Sequence, residues 1–163
     1  MAGQAREGIM ILRPPAREEL ELVAELCLRS KAVWGYDREF IEACREALTI
    51  SPAELAEGLT RVLEVRGAIL GVVQLRLKGL EATLEKLFVE PAVLRRGHGR
   101  RLLAWAQEAA LAAGACVLVI EADPGAASFY DRMGARRVGD VASESIPGRR
   151  LPRYELELRQ RLA

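Results

Sequence analysis

From Ala82 to Val89 the chain has the pattern of a buried strand, and Pro91 ends it. From Gly97 onward Leu102, Leu103, Ala106, Ala109, Ala110 and Ala113 recur at helical spacing until Gly114. A change of side-chain period over so few residues dictates strand, tight loop and helix. The loop reads Leu94-Arg95-Arg96-Gly97-His98-Gly99-Arg100-Arg101. Its glycines allow a sharp turn and close approach of a ligand to the backbone, and the helix start presents free N–H groups with a partial positive charge. The four arginines suit phosphate oxygens by charge and geometry. From this loop alone, a plain strand-to-helix turn beside a solvated basic face reads the same way. A P-loop would end in Gly-Lys-Ser/Thr, which is missing, and Leu102 stands where a dinucleotide fingerprint has its third glycine.

The rest of the chain supplies the frame around that unit. Ile9 to Leu12 reads as a strand stopped by Pro14-Pro15, and Ala16 to Leu28 as a helix on the stripe Leu20, Leu22, Val23, Ala24, Leu26. Helical spacing resumes at Phe40, Ile41, Cys44 and Leu48, and Ser51-Pro52 with Glu54 forms a capped turn. Leu59 to Val65 and Ala68 to Leu77 pair as a hairpin around Arg66-Gly67. Cys116 to Ile120 is a buried strand, Ala126 to Met133 a short helix ended by Gly134, and Ala135 to Val141 and Tyr154 to Leu158 are closing strands around the loop Ala142 to Arg153. Antiparallel strands followed by strand-helix-strand crossovers give a mixed α/β fold, with six or seven strands and helices on both faces.

Length and charge narrow the function classes. The 163 residues suit one domain spanning 1–163. A formal net charge of +1 provides no global field for nucleic acid or an anionic membrane, so neither is expected as a partner. No apolar stretch approaches the roughly 20 residues of a membrane span, and Met1 to Ile9 lacks a secretory apolar core, which points to the cytoplasm. Cys27, Cys44 and Cys116, widely spaced and with one His in the chain, read as buried thiols, with no metal site.

The segment Asp123-Pro124-Gly125-Ala126-Ala127-Ser128-Phe129-Tyr130-Asp131-Arg132-Met133-Gly134-Ala135 follows a strand and forms a short helix. Together with Leu84 to Pro91 and Gly97-His98-Gly99 it resembles the GNAT superfamily of acyl-CoA-dependent N-acyltransferases. The likeness runs from about Ala82 to Gly139. It implies a mixed, mostly antiparallel sheet flanked by helices, with acetyl-CoA as co-substrate. The implied reaction is direct transfer of the acetyl group to a primary amine, on a small molecule or a peptide, within a ternary complex. It also implies that the backbone of Arg95, Arg96, Gly97, His98, Gly99 and Arg100 holds the CoA pyrophosphate and that Leu87 and Val89 bind pantetheine. Asp123 stands at the family's Asn position by the pantetheine or the helix start, and Tyr130 at the place of the Tyr that protonates the leaving thiolate. Leu94 departs from the Arg or Gln that usually opens the loop, and Asp123 lacks the amide donor of Asn but can cap the helix. A homodimer is common in the family.

Each chemical role has a plainer counterpart. Tyr130 is a general acid, since a phenol stays protonated at neutral pH, or a core aromatic beside Phe129. Glu85 is the candidate base for the amine proton, because alternation places it on the face of Leu87 and Val89, or it is an exposed, salt-bridged glutamate. Glu144 is a weaker candidate, and His98 is an anion contact or exposed. Trp34 and Tyr36 line an acceptor pocket or pack between helices, and Arg149, Arg150 and Arg153 read as a solvated loop face. The competing function is a non-catalytic acyl-CoA-binding regulatory module.

Overall fold

A computed structural model describes residues 8–144 and 146–159, so the reading of Met1 to Ile9 and the two ends of the expected 1–163 domain fall largely outside the described residues. Seven strands, β1 (Met10–Arg13), β2 (Thr60–Val65), β3 (Ala68–Lys78), β4 (Glu81–Val89), β5 (Val117–Glu121), β6 (Arg136–Ala142) and β7 (Arg150–Glu157), form one sheet in the order β1-β2-β3-β4-β5-β7-β6. Every pairing is antiparallel except β4 with β5. The mixed, mostly antiparallel sheet follows from the chain order, since hairpins pair antiparallel and the crossover through a helix pairs parallel.

Helices cover both faces. On one side α1 (Leu20–Ala32), α2 (Arg38–Ala43), α3 (Arg45–Leu48) and α4 (Pro52–Ala56) lie in series, and Val23, Leu26, Cys27 and Leu48 pack with Val62 and Val72 of the sheet. On the other, α5 (His98–Ala112) and α6 (Ala127–Arg132) bury Leu102, Leu103, Ala106 and Tyr130 against Leu63, Val73, Leu75 and Leu118. Among the described residues no helix is long and apolar enough to cross a membrane.

Three expectations change. β7 starts at Arg150, four residues before the expected strand, and includes Pro152. A proline fits inside this strand because β5 has ended at Glu121, so its missing N–H deprives no ladder, while its carbonyl accepts from the Ala122 amide at 2.9 Å. Cys116 is exposed, whereas Cys27 and Cys44 are buried. It precedes β5, held by backbone bonds to Leu80 and Leu158, with Ala115 rather than the thiol turned into the core. Burial pushes the Cys27 thiol up to about 12, so it remains a protonated packing group.

The Glu85 face also differs. β3 and β4 slip register between Gln74 and Leu75, whose partners are Lys86 and Leu84, so Glu85 is an extra residue, a bulge. Leu84, Leu87 and Val89 all pack into the α5 side and Phe88 into the α1 side, so the alternation skips a step at Glu85. Glu85 therefore does not share the face of Leu87 and Val89 by simple alternation.

Edge strand β1 is tied down by charge. Arg13 donates to both oxygens of Glu19 at 2.7 and 2.9 Å and to Glu64 at 2.8 Å, joining the strand to the turn before α1 and to β2. Hydrogen bonds from Arg13 and from the Ala16 amide hold the Glu19 carboxyl down at about 2. A carboxyl held below its unfolded value stabilises the fold above that value and loses the contribution as pH falls through the folded one. Glu19→Gln is expected to cost about 1 kcal/mol at pH 7. In urea melts the gap to the parent should narrow below about pH 4.5; a gap unchanged down to pH 3 would contradict this.

Candidate active site

Only Glu81, Ala82 and Thr83 of β4 pair with β5, opposite Val117, Leu118 and Val119. Beyond Thr83 the two parallel strands part, and the β4 backbone from Leu84 to Val89 has no strand partner on that side among the described residues. A cleft of about 1300 Å³ opens there, bounded by β4, the end of β5, the start of α5 and helix α6. Unpaired backbone groups facing a cleft must be met by water or a ligand.

The glycine loop closes one end. Gly97, at the N-cap of α5, has φ +84°, and Arg95 has φ +62°, so the chain turns through the left-handed region to aim the α5 amides at the cleft. Gly99 is glycine for a different reason. A Cβ there would meet the Phe129 ring at 3.3 Å and Leu87 at 3.9 Å, so its absence lets α5, α6 and β4 come together. Arg95, Arg96 and Arg100 are exposed and make no ion pair among the described residues. The His98 imidazole is lowered by burial and by Arg96, which keeps it neutral at physiological pH.

Tyr130 lies on α6 in the wall of the cleft, edge-to-face with Phe129 at 5.0 Å and near Tyr154 at 6.0 Å. It is 5% exposed and its hydroxyl has no hydrogen-bond partner among the described residues. Burial raises the phenol, so it carries its proton throughout the neutral range. Across the cleft, Glu85 pairs with Arg76 at 2.9 Å with its side chain 30% exposed. Burial raises the Glu85 carboxyl, Arg76 and Lys86 oppose that, and Glu144 and Glu121 add to it.

Asp123 is the hub of the cleft's far wall. It caps the turn before α6 by accepting from the Gly125 amide at 2.9 Å, and it also accepts from the Tyr36 hydroxyl, from Lys31 at 3.2 Å and from Arg149 at 3.0 Å. Arg149 donates to the Tyr36 hydroxyl as well and lies 5.0 Å from each of the stacked Tyr36 and Phe40 rings. The three charged side chains are only 12 to 16% exposed, so Arg149 is no solvated loop residue. Burial would raise the Asp123 carboxyl, but the Gly125 amide, Lys31, Arg149 and Tyr36 together hold it below the ordinary carboxylate range. The sequence points to Asp123 as a cap and leaves Tyr36 open, but it does not single out Lys31 and it makes Arg149 a solvated loop residue, because their shared partner Asp123 lies 92 and 26 residues away. Trp34 is 47% exposed and lines the cleft beside Gly125. Among the described residues no group of three or more His, Cys, Asp or Glu side chains is placed to hold a metal ion.

Residues 56–134 match the sequence model of the acetyltransferase (GNAT) domain. The fold is similar to the PaiA N-acetyltransferase of Thermoplasma acidophilum solved with coenzyme A, at 19% identity and TM-score 0.77 over 91% of this chain and 99% of that one. A GCN5-related N-acetyltransferase from Rhodopseudomonas palustris aligns at 25% identity and TM-score 0.74, over 96% and 100% of the two chains. The ribosomal-protein-S18-alanine N-acetyltransferase of Escherichia coli aligns at 17% identity and TM-score 0.67, over 93% and 96%. No curated protein sequence matches the chain. Residues 56–134 thus match the GNAT domain by sequence, and the chain as a whole has the GNAT fold.

The Asp123 hub yields a stability prediction that needs no ligand. Asp123→Asn leaves Lys31 and Arg149 together without a counter-ion in a mostly buried site, which is expected to cost about 3 kcal/mol. Urea unfolding checks it, and a loss below about 0.5 kcal/mol would show the cluster to be no stronger than a surface ion pair.

Proposed function

We propose that this protein is an acetyl-CoA-dependent N-acetyltransferase that moves the acetyl group directly to a primary amine. The observation that carries the reading is the parting of β4 from β5 beside a buried Tyr130 whose hydroxyl has no hydrogen-bond partner among the described residues. Such an opening offers an extended ligand the backbone groups a strand would otherwise take.

The residues fit acetyl-CoA. The α5 amides behind Gly97, with Arg95, Arg96, His98, Gly99 and Arg100 around them, take the pyrophosphate, where a helix of 15 residues directs its positive end. The open edge of β4 at Leu87 and Val89 takes the pantetheine amides. Asp123 serves that arm indirectly, since its oxygens are engaged in holding the Gly125–Ala126 turn in place. Acetyl-CoA supplies an activated thioester carbonyl, and the protein's part is to orient it and move two protons. Glu85, with its carboxyl raised towards neutrality, accepts the amine proton directly or through water. Tyr130 donates a proton to the departing sulfur.

Assay of CoA thiol release from acetyl-CoA across an amine panel tests the reading. Tyr130→Phe keeps the ring packing and removes the acid, and it is expected to lower kcat by about 10² to 10⁴ with acetyl-CoA affinity nearly unchanged. Full turnover in that variant would make Tyr130 a packing residue. Tight acetyl-CoA binding by the parent with no turnover of any amine would favour the non-catalytic acyl-CoA-binding module instead.

A further inference from the structure

Thr60, Gln74 and Lys86 are the buried polar or charged residues of the described chain, at 1%, 5% and 6% exposure. They are not scattered. Thr60 is the register partner of Gln74, and Gln74 that of Lys86, so the three form one row across β2, β3 and β4. The row ends at Lys86 in the wall of the cleft.

Its hydrogen bonds have a direction. Glu54 closes the capping box of α4 and accepts from Gln74 Nε2 at 3.4 Å, which turns the Gln74 carbonyl towards Lys86, whose Nζ donates to it at 2.8 Å. That is the whole set of hydrogen bonds to the Lys86 ammonium among the described residues, although an ammonium has three N–H groups. Of the other cations lining the cleft, Lys31, Arg149, Arg76 and Arg153 each meet a carboxylate. Arg95, Arg100 and Arg132 are exposed. Among the described residues that line the cleft, Lys86 alone is a buried cation without a carboxylate within 4 Å. A desolvated charge in that condition is costly, and a neutral amide answers only part of the cost.

The cleft wall beside it is apolar, with Cys44, Leu48, Phe88 and Ile146. The Glu85 bulge gives that arrangement its place, because the skipped alternation step sets Lys86 on the α1 side with Phe88, opposite Leu87 and Val89.

We propose that Lys86 is the carboxylate-binding residue of the acceptor site, so that the amine acetylated here also bears a carboxylate and an apolar side chain, as an apolar amino acid does. The proposal deepens the acetyltransferase reading and rests on it for the identity of the cleft as the acceptor site. The carboxylate supplies the missing counter-ion and takes the two free N–H groups, and the apolar group lies along Leu48, Phe88 and Ile146. Gln74 and Glu54 are positioning residues that hold the ammonium at one point of the wall.

Binding separates this proposal from the reaction. With the protein saturated in CoA, which has no acetyl group to transfer, calorimetry compares leucine, methionine and phenylalanine, each with the amine made by removing its carboxylate. The parent should bind at least one amino acid tenfold or more tighter than its decarboxylated partner, the scale of one charge-assisted bond. Lys86→Met, which keeps the unbranched stem, should abolish that preference while leaving the decarboxylated amine's affinity within about twofold, and Lys86→Arg should retain a preference. A melting temperature shows whether each variant is folded. If no pair shows a carboxylate preference in the parent, or if folded Lys86→Met weakens both members of a pair equally, the proposal is overturned. If the preference is present but acetyl-CoA releases no thiol with any amine, the carboxylate site stands and the transferase reading fails.

Discussion

Three residue pairs hold β4 to β5, and the site depends on their being only three. A parallel ladder continued past Thr83 would consume the β4 backbone from Leu84 to Val89 and leave no slot between the strands. Two features keep them apart. The bulge at Glu85 twists β4 locally, as an extra residue in one strand does. β5 meanwhile stays in register with β7 as far as Glu121 and then turns at Asp123, so its direction is set by the sheet's other half. The cost is a row of backbone donors and acceptors without a strand, which an extended amide-bearing ligand is suited to satisfy.

The two walls of the opening are fixed by different physics. On the α5 side the wall is steric: Gly97 turns the loop through positive φ, and Gly99 lets the Phe129 ring and Leu87 close in on the helix start. On the α1 side it is electrostatic, because Asp123 gathers Lys31 and Tyr36 from the end of α1 and its connection to α2, and Arg149 from the β6–β7 loop. That cluster fixes where the α1–α2 connection and the β6–β7 loop stand relative to α6. Tyr130 sits between the walls on the short helix α6, which follows the turn that Asp123 caps.

The parts legible in the sequence are those governed by local rules. The period change around Gly97, the Gly134 stop and the alternation of the hairpin strands come from interactions within a few residues, so strand, loop and helix were readable in order. The short helix that carries Tyr130 was readable as such a local unit. The bulge was not, since Glu85 becomes an extra residue only through its pairing with Gln74 and Leu75, and with it the face of Glu85 was misread. Arg149 looked like a solvated loop cation because its partners, Tyr36 and Asp123, are distant in the chain. Lys86 drew no attention for the same reason: its burial beside Gln74 is a property of three strands in register, not of the segment Leu84 to Val89.

The central claim is that the unpaired edge of β4 is where acetyl-CoA lies. Amide-resolved hydrogen exchange with and without acetyl-CoA tests it directly, because hydrogen bonding to a ligand slows exchange at the groups concerned. The account predicts new protection within Leu84 to Val89, with Leu87 and Val89 foremost, and at the amides following Gly97, while Glu81 to Thr83, already paired to β5, change little. Protection confined to the glycine loop, or absent from β4 at saturating acetyl-CoA, would contradict it.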